Sequence, residues 1–410
     1  MNVLSRDIKK AKATALNLAA IQAIIGSAAP IAISTGGLAG FMLLGADKSL
    51  ATAPATGFNI GIALGALPAA FAISTLGRRG GFIAGAGMTG LGGLVACFAL
   101  LNSNFWLFAL GLVFIGVGGA FVQQYRFAAA DAAPPEYKPK AISWVLFGGV
   151  FTAILGPQIV IHTKDLFAPY TFAGAFAGVV VLAILGALLI SFMKAPDPIS
   201  AAAKASELPP RSRKEIITQP VYAVGLICAV GSYMLMTFLM TGAPLAMVAA
   251  GCTQEQAFLG ISWHVLAMYA PSFFTGSLIV KFGRERIIIV GLMMLVITAM
   301  VGLHGESLWH FWSALILLGL GWNFGFIGAT AMVADSYRQS EKGAAQGFHD
   351  AVLFTLVAFA SLMSGVVFNA GGWHTQNFIV FPIVSLCLAA LLTLSIIQKR
   401  ARIAKATAAV

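Results

Sequence analysis

Charge is what this sequence has least of. Asp and Glu number 14 and Lys and Arg 25 in 410 residues, so 10% of the chain is charged while 59% is apolar. A soluble chain carries about a quarter of its residues as charges. A mean hydropathy of +0.90 describes an exterior that only lipid tolerates. Cysteine is scarce as well. Cys97, Cys228, Cys252 and Cys387 are far apart in the sequence and form no Cys-x-x-Cys pair. That argues against a disulfide framework or a metal site and leaves them as small buried hydrophobes. Strand-like alternation is missing, which excludes a β-barrel. His-Glu-x-x-His, a nucleophile elbow and a Gly-x-x-x-x-Gly-Lys-Ser/Thr phosphate loop are missing too. No enzyme, catalytic residue, cofactor or ATP-driven step is therefore expected. No cleavable leader is expected either, because the first apolar run is too long for one.

What is present is a series of apolar runs, each near the ~20 residues needed to cross a bilayer. They fall at 14–40, 52–76, 81–101, 105–130, 140–161 and 170–193, then at 220–248, 256–281, 286–303, 309–334, 344–369 and 376–398. The fold class predicted is an all-α membrane protein with twelve spans. It divides into a six-helix bundle (1–193), a polar linker (194–219), a second six-helix bundle (220–398) and a tail (399–410). Gly, at 45 residues, is scattered through the runs. Small residues of this kind let helices approach closely in lipid.

The net charge of +11 reflects topology, and no nucleic-acid partner is expected. With the N-terminus inside, only Lys48 and Lys164 fall in outer loops and Arg126 lies near the inner end of span four. All other Lys and Arg occupy inner segments. This asymmetry places both termini in the cytoplasm. Trp106, Trp309 and Trp373 mark the outer ends of spans, where an aromatic belt is expected.

The halves repeat. Gly77-Arg78 follows span two and Gly283-Arg284 follows span eight, an offset of 206; Gly116-x-Gly118 matches Gly319-x-Gly321 at 203. Asp131 ends span four as Asp335 ends span ten. A duplicated six-helix unit implies a pseudo-twofold axis along the membrane normal, with a solute path between the halves.

On these features the chain resembles the major facilitator superfamily over essentially its whole length. That family carries Gly-x-x-x-Asp-(Arg/Lys)-x-Gly-Arg-(Arg/Lys) after span two. Here the closing Gly77-Arg78-Arg79 matches, while the Gly, Asp and first basic positions are Ala70, Ser74 and Thr75. The second half reads Gly276-x-x-x-Val280-Lys281-Phe282-Gly283-Arg284, again without the Asp. The basic residue that many members carry in span four falls at Leu112, and the span-five Gly-Pro motif is reduced to Gly149-x6-Gly156-Pro157-Gln158. An ordinary drug–proton antiporter is thereby disfavoured. The resemblance implies that spans one, four, seven and ten line a central cavity, with help from two, five, eight and eleven. The text Met240-Thr241-Gly242-Ala243-Pro244 and Trp263–Gly276 resembles a bacterial subgroup that includes proposed riboflavin importers.

Ionisable residues inside a bilayer are costly, so each is a functional candidate. Arg126 has Ala329 as its repeat counterpart. It is a candidate for holding an anionic or carbonyl-rich substrate, or else snorkels or pairs with Asp131. His349-Asp350 replace Leu146-Phe147 of the first half. They form a candidate proton-coupling pair or an anchor for a basic residue, since a carboxyl in apolar surroundings holds its proton more tightly. His264 is a third proton-coupling candidate, although bonding to a helix backbone is the commoner use of such a residue. Asn17, Gln22, Gln123, Tyr233, Trp322 and Asn323 join Arg126 as substrate-binding candidates, because amides and aromatic faces suit a neutral, planar or hydroxylated solute. Each alone also serves as interhelical glue. Arg78 with Asp131 and Arg284 with Asp335 are expected to pair as inner gates.

Three functions remain open on the sequence: uptake of a small organic solute, proton-linked or not, by a monomer in a bacterial inner membrane; export of hydrophobic compounds; and a non-transporting sensor on the same fold.

Overall fold

The computed structural model describes residues 3–134, 137–193, 211–338 and 341–407. Within hydrocarbon no water is available to backbone N–H and C=O groups, so each segment must satisfy its own as a helix. Among the described residues the chain forms helices and no strand. Span one is α1 (Val3–Ile25) and α2 (Ala28–Leu43); spans two and three are α3 (Ala53–Leu101); span four is α4 (Phe105–Val122) and α5 (Tyr125–Asp131). Spans five and six are α6 (Lys138–Thr163) and α7 (Ala173–Ser191), followed by the short α8 (Arg213–Ile217). Span seven is α9 (Pro220–Ala249) and span eight is α10 (Gln254–Tyr269) with α11 (Ser272–Phe282). Spans nine to twelve are α12 (Arg284–His304), α13 (Leu308–Ala334), α14 (Lys342–Phe378) and α15 (Val380–Thr407).

Among the described residues, 10 helical stretches are long and apolar enough to cross a membrane, or 11 when the bent pair α10–α11 counts as one. One of these, Phe348–Arg400, runs 53 residues, or about 80 Å of helix, far more than the ~30 Å of a bilayer core. It folds back at Gly372, whose φ of 67° and ψ of −168° are not helical. Gln376 Nε2 there donates to the Ser364 carbonyl at 2.7 Å across twelve positions, a distance no straight helix could close. Splitting the segment at this reversal gives the twelve spans expected. Gly77 reverses α3 in the same way, bringing Gly81 against Ile73.

The repeat extends to backbone and packing. Gly77 (φ 71°, ψ 170°) and Gly283 (φ 87°, ψ 149°) occupy the same region, each immediately before an Arg. Only glycine enters that region freely. Gly116 of α4 lies against Gly61 of span two, and Gly118 against Gly85 and Thr89 of span three. In the other half Gly319 lies against Ala267 of span eight and Gly321 against Gly291 of span nine. Each glycine pair therefore seats its span between the two preceding ones. Between the halves, α6 meets α10 and α3 meets α14. These are spans five with eight and two with eleven, interchanged by the repeat.

Four details differ from the sequence expectation. Spans one, four and eight are broken, at Gly26-Ser27, at Gln123-Gln124 and at Ala270-Pro271, the last with a 42° bend. Pro271 has no N–H to continue the ladder, which accounts for that break. The tail is helical as far as Thr407, since α15 runs on past Lys399. Trp106 and Trp309 are exposed as a belt requires, but Trp373 is buried and packs against Phe311 at 5.3 Å. It follows the Gly372 turn and is folded inward with it. Of the linker, residues 194–210 lie outside the described residues. Its end is tied to the loop after span ten. Arg211 grips the buried Glu341 with Nε at 2.8 Å and Nη2 at 2.6 Å, and its backbone N–H donates to the same carboxylate at 2.8 Å. The guanidinium holds that carboxyl well below the usual carboxylate range.

The Gly283 turn can be tested directly. Gly283→Ala forces a side chain into the glycine-only region, at a cost of about 1–3 kcal/mol. It should lower the melting temperature of the purified protein by several degrees. Gly276→Ala, in a helical position with open space where the methyl would sit, should leave it unchanged. Equal behaviour of the two variants would contradict the assignment.

Candidate functional site

The break in span one and the break in span eight face a pair of adjoining chambers between the halves. The first, about 110 Å³, is lined by residues of spans one to five, seven and eight, including Asn59, Thr152, Thr237 and Met240. The second, about 180 Å³, lies nearer the face carrying the termini and adds Arg126, Trp322, Phe326, Asp350 and Phe354. Gln22, Ile62, Val122, Gln123, Tyr233 and Tyr269 line both. Each alone is smaller than the few hundred Å³ typical of a site for an organic ligand, and the two adjoin through the residues they share.

Its wall toward the second half is aromatic. Tyr233 stands edge-on to Trp322 (5.4 Å) and to Phe326 (5.1 Å), and Trp322 and Phe326 stack nearly parallel, at 15° and 5.2 Å. Tyr269 joins edge-on to Trp322 at 6.3 Å, and Gly149 leaves its ring room. The Trp322 indole N–H is buried and finds no acceptor among the described residues. The opposite wall offers the side-chain amides of Gln22 and Gln123 and the half-buried Arg126 guanidinium. Flat π-faces on one side and amide donors and acceptors on the other suit a planar, polar, uncharged solute.

Five of the seven substrate-binding candidates line the chambers: Gln22, Gln123, Arg126, Tyr233 and Trp322. Asn17 does not; it is exposed on α1, a turn beyond Gln22. Asn323 does not either. It is fully buried, and its amide donates to the Met268 carbonyl (2.6 Å) and Ser272 Oγ (2.9 Å) while accepting from Thr275 Oγ1 (2.6 Å). Those partners flank the Ala270-Pro271 break. Asn323 thus satisfies the Met268 carbonyl at the break, and both of its amide N–H donors are engaged.

His264 is buried and its Nδ1–H donates to the Leu315 carbonyl at 2.8 Å. It ties span eight to span ten and lines neither chamber, which is the backbone-bonding alternative. His349 is buried with Nδ1 3.0 Å from Asp350 Oδ1, and its Nε2 has no partner among the described residues. The Asp350 side chain is 55% accessible and lines the second chamber. The apolar enclosure expected for this carboxyl is therefore not present in this conformation. Arg284 pairs with Asp335 and lies 3.6 Å from Glu285. Arg78 Nη1 donates to the Ala128 carbonyl at 3.4 Å, and the Asp131 side chain lies outside the described residues. Among the described residues no group of three or more His, Cys, Asp or Glu is placed to hold a metal ion.

Sequence reasoning missed three features. Tyr269 lines both chambers, and the Pro two residues later was its signal. Lys164 pairs across the halves with Glu255 and approaches Gln254 at 3.5 Å. Thr52 Oγ1 donates to the Leu362 carbonyl (3.2 Å) and accepts from the Gly365 N–H (3.1 Å). Both ties close the face opposite the termini. Neither has a local signal, because the partners come from different halves.

Two six-span bundles around a central aromatic and amide cavity define a solute transporter. The profile of the Major Facilitator Superfamily matches residues 13–270 and 225–409. The chain is 45% identical over 386 residues to the riboflavin transporter RfnT of Brucella anthropi, covering 94% of this chain and 96% of that one. It is 31% identical over 389 residues to the MFS-type transporter YdeG of Bacillus subtilis, covering 91% and 90%. Among solved structures it is similar to a D-xylose–proton symporter, with a TM-score of 0.69 over 92% of this chain and 96% of that one at 16% identity. That last likeness speaks for the fold alone. The chain belongs to the major facilitator superfamily.

Asn323→Ala should act on stability. It removes the donor to the Met268 carbonyl and to Ser272 Oγ, while Thr275 Oγ1 keeps its bond to the Pro271 carbonyl, at about 1–3 kcal/mol for each unsatisfied buried group. The melting temperature should drop, while the affinity of the folded fraction for its solute stays within a fewfold of wild type. Unchanged stability with lost binding would return Asn323 to the substrate site.

Proposed function

We propose that this chain carries a flat, uncharged, hydrogen-bonding solute of the vitamin class into the cytoplasm, riboflavin being the first candidate. The observation that carries the reading is the facing of the Tyr233–Trp322–Phe326–Tyr269 wall by Gln22, Gln123 and Arg126. Riboflavin is a fused heteroaromatic ring with carbonyls and a polyhydroxylated chain. The rings offer it stacking faces, the amides suit its hydroxyls, and the guanidinium suits its carbonyls without requiring net charge. The name of the Brucella anthropi relative points the same way. The basic-residue asymmetry supports an inner-membrane orientation with both termini cytoplasmic. In that orientation the Lys164–Glu255 and Thr52–Gly365 ties close the outer side, and the solute leaves past Arg126 and Asp350. The Arg284–Asp335 pair, and Arg78 with Asp131, then serve as inner gates that rearrange as the bundles rock. Proton linkage through His349-Asp350 belongs to the same proposal.

Expression in a riboflavin auxotroph lacking its own importer should restore growth on micromolar vitamin. Arg126→Ala, at normal membrane abundance, should lower uptake roughly ten- to hundredfold, the value of a lost charge-assisted hydrogen bond. Arg126→Lys should recover it only in part, because an ammonium does not replace the guanidinium fork. Increased resistance to hydrophobic compounds without any uptake would favour export instead.

Proteoliposomes with an imposed pH gradient address the coupling. Uptake by the wild type should rise when the outside is acid, and Asp350→Asn should retain uptake but lose the gradient effect. A wild type indifferent to the gradient makes the protein a facilitator and Asp350 structural.

A further inference from the structure

We propose that the crevice between α12 and α15, at the face carrying the termini, binds an anionic phospholipid. This crevice is separate from the transport chambers and larger than either, at about 670 Å³. Its polar end is formed by Arg286, Gln398 and Lys399, and its length by Ile289, Leu388, Leu391 and Leu392. Arg286 and Lys399 are exposed. Glu285 also reaches the crevice, 3.6 Å from an Arg284 that pairs with Asp335 as well, so the crevice offers a ligand two cations against one carboxylate, an excess of one positive charge.

The dimensions select a lipid. Leu388 and Lys399 are eleven residues apart on α15, about 16 Å along the helix. One leaflet of hydrocarbon is about 15 Å deep, half of the ~30 Å bilayer core. The apolar groove thus runs from headgroup level to the bilayer centre, one acyl chain long, with cations only at the headgroup end. A basic mouth on an interhelical groove is the arrangement that holds acidic headgroups. Leu392 and Ile289 remain 62% and 39% exposed, and in a membrane the molecules that reach such a surface are lipids.

The test is native mass spectrometry of the purified full-length chain titrated with phosphatidylglycerol or phosphatidylcholine. The expectation is preferential retention of phosphatidylglycerol. Each lost charge should weaken it roughly fivefold and the pair, Arg286→Gln with Lys399→Gln, roughly thirtyfold, with phosphatidylcholine retention unaltered. If the double variant fails to fold, Lys399→Gln alone, near the exposed end of α15, supplies the fivefold readout. Equal retention of the two lipids by wild type, or an undiminished preference in the variants, would overturn the proposal. Displacement by inorganic phosphate at millimolar concentration would also overturn it, since the site would then hold a free anion and not a lipid.

Discussion

Close approach between backbones is the constraint on which this structure depends. In hydrocarbon, burying a leucine against another helix gains little over leaving it in lipid, so helices are held where small residues let main chains come together. Gly116 and Gly118 in span four, and Gly319 and Gly321 in span ten, provide that approach on two sides of their helices. A β-carbon at Gly116 or Gly319 would run into the backbone of the neighbouring span. The same four positions fix which spans are neighbours in each half, and so fix the pseudo-symmetry that leaves a cavity between them.

The cavity then depends on where helices are allowed to break. A broken helix in a membrane must have its freed backbone groups satisfied by other parts of the protein. At span eight this is done by Asn323, which reaches across from span ten to the carbonyl and hydroxyls around Pro271. The break leaves Tyr269 at the end of α10, where its ring meets Trp322. One amide therefore supports the aromatic wall without lining either chamber. Breaks in spans one and four flank Gln22 and Gln123 on the opposite wall. The polar and aromatic sides of the site both come from interruptions in otherwise uniform helices.

Among the described residues, polar ties between the halves include one ion pair and one threonine–backbone contact. Lys164 with Glu255 is a partly exposed ion pair of the kind that contributes little net stability, and the buried Thr52 adds two hydrogen bonds to the span-eleven backbone. Such contacts suit surfaces that must separate and re-form. By contrast, the Arg211–Glu341 grip lies within the second half and uses a buried, fully engaged carboxylate. It secures the end of the linker to the second bundle.

The sequence by itself determined the solvent, the number of crossings and the repeat. Those rest on composition, on run length against bilayer thickness and on glycine spacing, and each is a local or periodic property. It also drew attention to Gln22, Gln123, Arg126, Tyr233 and Trp322, which line the chambers, because a polar or aromatic residue in an apolar run is visible without knowing its neighbours. It could not separate Asn323 from that group, since a residue that ligates a solute and one that satisfies a broken helix look alike until the partner is in place. That Asn17 lines neither chamber and that Trp373 is buried were not legible for a related reason: one helical turn, or one fold at Gly372, decides whether a side chain faces cavity, lipid or core. Tertiary structure alone decided the cross-half ties and the joining of Tyr269 to Trp322, because these bring together residues tens to hundreds of positions apart that carry no pattern in common.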